Sequence, residues 1–227
     1  HTTFLCFIIW IQSVVGVWMV KVLLGTTNPS KIERFSFLLR VYDIEFLTFN
    51  DICVKNEPEE TGGTPEENAI IKAAFYGKYF DSVICSDSGL YFKELDTLDK
   101  RQPGLRIRTP MGCKRLSDEE MIEYYSGLIE SLGGKVSAYY LDGIAVYYKG
   151  NISSFMDVKT AQETSSFDMI DKPSPVRFPG WPLDSLSINR ETGLYFVEAK
   201  VNKSKENIIK GDYEKRIVDF LKSSLEL

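Results

Sequence analysis

The order of apolar runs predicts a mixed α/β protein, on three observations. Through the first half, short apolar runs alternate with segments of helical spacing, the mark of strand-helix-strand units with parallel strands. Two long β-rich runs follow, split by Lys149-Gly150-Asn151, which adds an antiparallel hairpin. With 227 residues, 44% hydrophobic and 13% aromatic, the chain can build one large domain or two lobes sharing a sheet, and its composition is not that of a disordered chain.

Residues 1–18, HTTFLCFIIWIQSVVGVW, form an apolar extension that is short for a membrane span and lacks the cationic start of a signal peptide. Residues 19–25 read as the opening strand of an α/β protein, which puts the natural start at Met19; a membrane tether is the competing reading. Asn28 then caps a helix with Pro29 in its first turn and Ile32, Phe35, Leu38 and Leu39 on one face. Residues 44–49 form a strand, and a polar loop over 50–63 leads to a helix presenting Ala69, Ala73, Tyr76 and Phe80. The apolar run 82–85 stops at Ser86-Asp87-Ser88-Gly89, which places Asp87 at the carboxyl end of a strand, where open α/β sheets bind ligands. A separate strand spans 90–95. A Pro- and Gly-containing loop runs to Ser117, whose S-x-x-E pattern opens a helix that stops near Gly133-Gly134. The hairpin strands cover 136–149 and 151–159, residues 160–182 form a long active-site or flexible loop, and Tyr213, Ile217, Phe220 and Leu221 mark a closing helix.

The only histidine is His1, which removes Ser-His-Asp triads, Cys-His pairs and histidine-ligated zinc. Catalysis must run on carboxylates, lysines, hydroxyls and a hard cation such as Mg²⁺. A net charge of -5 argues against a nucleic-acid-coating protein, although Lys100-Arg101 and Arg106 to Arg108 can meet a small anion. Cys6, Cys53, Cys85 and Cys113 show no CxxC pairing, so they read as reduced thiols of a cytoplasmic protein.

Four segments carry candidate chemistry, each with a plainer explanation beside it. The turn from Gly25 to Lys31 offers backbone amides, Thr26, Asn28 and a lysine to a phosphate at a helix N-terminus, or else Asn28 only caps and Lys31 is exposed. Glu67 follows the cap Thr64 and Pro65, and either completes a capping box or joins Asp87 as a metal ligand. A turn alone explains Asp87 poorly, and a carboxylate there can also deprotonate a water. Arg106 and Arg108 lie on one side of an extended segment suited to phosphate, or are solvated; Trp181 stacks on a base or anchors its loop in the core.

In this order the segments resemble the Ham1/ITPase family, house-cleaning pyrophosphatases of non-standard purine nucleoside triphosphates. Thr26, Asn28 and Lys31 match its T-x-N-x-x-K signature, Glu60-Thr61-Gly62 its E-T-G, Glu67-Asn68-Ala69 its E-N-A, and Asp87-Ser88-Gly89-Leu90 its D-S-G-L. Pro103-Gly104 with Arg108 matches P-G-x-x-x-R, and Gly180 to Ser187 falls on G-F-G-Y-D-P-I-F, keeping Gly180, an aromatic at Trp181, and Asp184. Two departures stand out: the family's D-D is Ser86-Asp87, and its S-H-R, which helps read the purine, is absent, its last two residues falling on Ile209-Lys210 or Lys210-Gly211.

The resemblance implies an α/β fold of the anticodon-nuclease-like type, a long mixed, twisted sheet with two flanking lobes and a central cleft, formed by residues 19–227 as one domain. It implies hydrolysis of a nucleoside triphosphate such as ITP or XTP between the α- and β-phosphates, with Mg²⁺ near Glu67 and Asp87 and with Asp87 handling the water. Thr26, Asn28, Lys31, Ser88 and Arg108 then grip phosphate and sugar, Trp181 stacks on the base, and Gly89 and Asp184 complete the substrate-binding set. It further implies a homodimer with no nucleic-acid or membrane partner. The alternatives are a pyrophosphatase of different or relaxed base preference and a nucleotide-binding homologue without catalysis.

Overall fold

The computed structural model describes residues 19–52, 56–201 and 211–227. Seven strands form one sheet in the order β2-β1-β3-β4-β6-β7, with β5 also paired to β4. The strands are β1 (Val20–Leu24), β2 (Ile44–Leu47), β3 (Ser82–Phe92), β4 (Lys135–Tyr148), β5 (Asn151–Phe155), β6 (Phe167–Ile170) and β7 (Ser187–Ile188). β1 lies parallel between β2 and β3, and every pairing from β3 onward is antiparallel. The helices are α1 (Pro29–Leu38), α2 (Pro65–Tyr76), α3 (Asp118–Ser131), α4 (Val158–Thr164), α5 (Phe196–Val201) and α6 (Asp212–Leu225).

Strand alternation sorts the core onto two faces. Val22, Leu24 and Ile84 pack with Phe35 and Leu38 of α1 and with Ile217 and Leu221 of α6. Leu23, Val83 and Cys85 point the other way, onto Ala69, Ala73 and Tyr76 of α2. Farther along β3, Leu90 and Phe92 return to the first face but join a separate core with Met121, Tyr125 and Ile129 of α3. Ser86 and Ser88 therefore lie where two cores part. That polar interruption separates the two cores, and each fully buried Leu or Ile on either side contributes about 2 kcal/mol.

Local chemistry sets most boundaries as the sequence predicts. Asn28 and Thr64 cap α1 and α2 with proline following each, and Ser117 forms a reciprocal capping box with Glu120 at the start of α3. Gly133 and Gly134 end that helix at positive φ. Lys149 at φ 49° and Gly150 at φ 90° make the tight turn between β4 and β5.

Three expectations are corrected. Asp87 is not at a strand end: β3 runs unbroken from Ser82 to Phe92, absorbing the expected strand at 90–95, because β4 pairs with it throughout, from Ser82↔Tyr148 to Phe92↔Ala138. Residues 160–182 are not one long loop. Asp157 caps α4, so β5 ends at Phe155, and Phe167 and Met169 turn inward to make β6. Residues 104–109 are not extended but a run of turns, with Thr109 N donating to Arg106 O; this sends Arg108 into the cleft and leaves Arg106 exposed.

Cys85 is a free, buried thiol and Cys113 a free, exposed one, while Cys6 and Cys53 lie outside the described residues. Among the described residues no helix is long and apolar enough to cross a membrane, and the extension 1–18 is not among them.

Candidate active site

The site begins where β1 ends. β1 pairs with β3 only as far as Leu24↔Ile84, and the next contact on that edge is the bridge from Leu90 to Gly104. Between them β3 is open. Backbone groups of its even-numbered residues point to this edge: Gly25 N donates to Ile84 O at 2.8 Å and Lys31 Nζ to Ser86 O at 3.1 Å. Odd- and even-numbered side chains leave on opposite faces, so neighbouring Asp87 and Ser88 serve different environments.

On the α2 face, Asn68 Nδ2 donates to Asp87 Oδ2 at 2.8 Å, and Asn68 Oδ1 accepts the Gly62 amide at 2.8 Å. This holds one Asp87 oxygen and orients the other for a water or a cation. The approach of α2 depends on Gly143, the β4 partner of Asp87, since a Cβ there would sit 2.1 Å from Pro65 C. Glu67 accepts the Gly63 amide at 2.6 Å through Oε2, while its own amide donates to Thr64 Oγ1. It therefore reaches one residue beyond the position a capping box would use. Glu60 pairs with Lys72 at 3.1 Å close by.

Among the described residues, no three His, Cys, Asp or Glu side chains are grouped to hold a metal. Oxygen donors such as Asp87 and Glu67 suit a hard divalent cation, which keeps several waters and needs no all-protein cage.

On the other face lies a cleft of about 650 Å³. One wall carries Asn28, Lys31, Arg34, Tyr213 and Glu214, the floor Ser88 and Asp142, and the far wall Arg108, Tyr140, Phe167, Trp181 and Asp184. Lys31 and Arg34 thus lie on one wall, and Arg108 lies with Tyr140, Phe167 and Trp181 on the other. Thr26, Glu67, Asp87 and Gly89 lie outside this wall. Thr26 Oγ1 accepts the Asn28 amide and Asn28 Oδ1 accepts the Ser30 amide, so both shape the turn and Asn28 still borders the cleft. Gly89 has a packing reason, since a Cβ there would press on Tyr91 and on Gly104 O. Trp181 is 38% exposed and borders the cleft, whereas Leu183 is buried in the core.

Lys31 links the two faces. Burial pushes its pKa down, and Lys72 adds to that, against the pull of Asp87, Asp142 and Glu60. The floor is an ionic network absent from the sequence reading. Arg34 donates to Asp142 and to Glu214, each at 2.8 Å, Ser88 Oγ donates to Asp142 at 2.7 Å, and the Asp142 amide donates to Tyr213 Oη at 3.2 Å. Burial opposes charge on both partners, yet the pair outweighs it: the Asp142 pKa is lowered, with Arg34 and the Ser88 bond responsible, and the Arg34 pKa is raised. Tyr140 sits against Phe167, with rings 5.4 Å apart, and burial with the Asp184 charge raises its pKa. An aspartate inside an apolar strand, as in Tyr140-Leu141-Asp142-Gly143, was the available signal, because a buried carboxylate needs partners. The positions expected to align with S-H-R lie outside the described residues except Gly211, which caps α6.

Comparison with known proteins agrees with this architecture. The profile of the Ham1 family matches residues 22–162. A dITP/XTP pyrophosphatase of Thermoanaerobacter pseudethanolicus is 38% identical over 87 residues, 38% of this chain and 42% of that protein. One from Leptospira interrogans is 37% identical over 136 residues, 58% of this chain and 64% of that protein. The alignments thus span less than two thirds of either relative. Among solved structures, a HAM1 protein from Coxiella burnetii superposes with a TM-score of 0.67 at 21% identity, covering 90% of this chain and 100% of its own. The Staphylococcus aureus Ham1 protein gives 0.64 at 23% identity, covering 91% and 98%. These two similarities establish the fold.

Proposed function

The chain belongs to the Ham1 family, and we propose that it is a nucleoside triphosphate pyrophosphohydrolase acting on non-standard purine nucleotides such as ITP and XTP. The observation that carries the reading is the open edge of β3, which puts Asp87 on one side and a cation- and aromatic-lined cleft on the other, joined by Lys31. A triphosphate lying across that edge spans both. The printed activity of the relatives, dITP/XTP pyrophosphatase, supports the substrate class.

In this reading the base lies between Trp181 and the Tyr140–Phe167 side of the cleft, near Asp184, and Ser88 meets the sugar. Lys31 and Arg108 hold phosphate oxygens as charge-assisted donors, with Thr26 and Asn28 shaping the turn that presents Lys31. Asp87, fixed through Asn68, orients a water toward the α-phosphorus and takes its proton. A new P–O bond forms to the water oxygen, the α–β bridging bond breaks, and pyrophosphate leaves with the bridging oxygen. Mg²⁺ near Glu67 and Asp87 would supply neutralisation of the triphosphate charge. Assembly as a homodimer in the cytoplasm belongs to the same reading.

Pyrophosphate release measured over ITP, XTP, dITP, GTP, ATP and UTP with Mg²⁺ tests it. We expect release from ITP and XTP, at rates no more than about tenfold above GTP, because a missing hydrogen-bond set at the base edge is worth about one such factor. No release from any of the six overturns the assignment.

A further inference from the structure

One carboxylate ties together the two loops on the far rim of the cleft. Asp118 is the first residue of α3; its Oδ1 meets Arg108 Nη2 at 2.9 Å and its Oδ2 accepts the Gly180 amide at 2.7 Å. The same Nη2 donates to Gly180 O at 3.4 Å. Gly180 therefore has both backbone polar groups held by the Arg108–Asp118 pair, and it sits at φ 84°, one residue before Trp181.

An acid in the first turn of a helix ordinarily answers to the helix dipole. Here that work is done elsewhere, because Ser117 and Glu120 already complete the capping box of α3. Both oxygens of Asp118 are instead spent outside the helix. The Gly180 amide, with Arg108 adding, holds its carboxyl below the usual range against a modest cost of burial, so it is charged at neutral pH. The neighbouring tie from Glu119 to Arg177 at 3.1 Å holds the same loop farther from Trp181 and does not touch Arg108.

We propose that Asp118 is a positioning residue that couples phosphate capture by Arg108 to the placement of Trp181 against the base. This rests on the triphosphate reading above. The two hydrogens of Arg108 Nη2 are committed to Asp118 and to Gly180 O. A phosphate oxygen gripped through that nitrogen must displace one of them. The Gly180 amide then keeps its bond to Asp118 while the Gly180 carbonyl loses its bond to Arg108, and the Gly180–Trp181 peptide turns with the ring that follows it.

The test uses the full chain carrying Trp10→Phe and Trp18→Phe, which leaves Trp181 alone of the 3 tryptophans. Inorganic tripolyphosphate, a probe without a base, is titrated while Trp181 emission and inhibition of nucleotide hydrolysis are read. In the parent we expect an emission change that tracks inhibition. In Asp118→Ala the probe still inhibits within about threefold, the emission change disappears, and KM for the nucleotide rises about tenfold with kcat nearly kept, a coupling of ordinary size. Asp118→Asn, which can still accept the Gly180 amide, restores part of the response, and Glu119→Ala leaves it intact; melting curves on each variant identify any that fail to fold. An equal emission change in Asp118→Ala, or inhibition of the parent without any change, overturns the proposal while leaving the activity standing. No inhibition together with no pyrophosphate release from any nucleotide removes the activity reading and this proposal with it.

Discussion

Asp87 and Ser88 are adjacent in the chain, yet β3 sends them into surroundings built on different principles. The Asp87 side is assembled from short-range chemistry: Thr64 caps α2, Pro65 opens it, and Asn68 one turn later reaches the carboxylate. The Ser88 side is assembled from distance, since Arg34 meets Asp142 across 108 positions and Glu214 across 180. The first side fixes Asp87, the proposed base, and Glu67 through hydrogen bonds donated by a side-chain amide and a backbone amide. The second uses a buried ionic network, which fixes the floor of a cleft but makes the fold depend on it. In the proposed reading chemistry and stability are separated by one residue of strand, and substitutions on the two sides should fail differently.

The largest effect is expected on the Ser88 side. Asp142→Ala leaves the part-buried Arg34 with Glu214 alone and removes the acceptor for Ser88. Breaking one partner from a fully buried pair costs about 3–5 kcal/mol, and because Arg34 is part-buried and keeps Glu214 the loss should lie at the lower end, about 3 kcal/mol. Denaturant unfolding should show this together with reduced activity. The pH dependence carries the same mark. Arg34 and the Ser88 bond hold the Asp142 carboxyl below its ordinary value of 3.8, so its contribution is present above about that pH and is lost as pH falls through the lower folded value. Asp142→Asn should therefore flatten that acid limb, and an unchanged limb would show that the network does not govern acid stability.

On the Asp87 side the loss should be catalytic. Asp87→Asn keeps shape and the bond from Asn68 by rotation of the amide, but removes the charge. Pyrophosphate release should fall by about 10²-fold or more, with a melting temperature near that of the parent. A mutant retaining a tenth of the rate would show that Asp87 does not handle the water.

How legible each side was follows the same division. The caps at Asn28, Thr64 and Ser117 and the Lys149-Gly150 turn were readable because a few neighbouring residues decide them. So were Lys31, Glu67 and Asp87 as candidates. The run Ser86-Asp87-Ser88-Gly89 was misread as a strand end because local hydrophobicity drops there, while the long partner β4 keeps the ladder going through it. Helix α4 was missed although Asp157 and Thr160 form its cap, because its seven residues bury only Ala161. Gly143 was invisible for a related reason: its need for no side chain comes from Pro65, which is brought there only by the packed fold. Arg34 looked like any exposed helix residue, and nothing in its spacing foretold Asp142 or Glu214.

Lys31, shared by both sides, sharpens the comparison by acting on each. Its folded pKa lies below 10.5, so only between that folded value and 10.5 does the folded state release a proton that the unfolded chain keeps; below that window its charge is held at a cost, which lessens as pH rises toward 10.5. Lys31→Met removes that cost along with the phosphate donor. We expect about 1 kcal/mol of added stability at neutral pH, of the size typical when a functional constraint is released, together with a large rise in KM. A lower melting temperature would instead assign the bond from Lys31 to Ser86 O a structural role that outweighs the buried charge.

The smallest effect is expected at Glu67, and it decides whether the Asp87 side holds a metal. The carboxylate already has a structural task, accepting the Gly63 amide at 2.6 Å, and a glutamine can perform it with its remaining oxygen. Glu67→Gln should therefore cost no more than about 1 kcal/mol, the usual scale for weakening one helix-start contact. If that were its whole role, activity would follow Mg²⁺ in the mutant as in the parent. Replacing a charged ligand by a neutral one weakens a hard cation's site, so the Mg²⁺ concentration for half-maximal rate should rise while the rate at saturating Mg²⁺ recovers. Titrating Mg²⁺ alongside a melting curve separates the two tasks: a shifted metal profile with a small stability change marks a ligand, whereas an unshifted profile leaves Glu67 as the residue that fastens the start of α2 and requires the metal to rest on Asp87 and the phosphates.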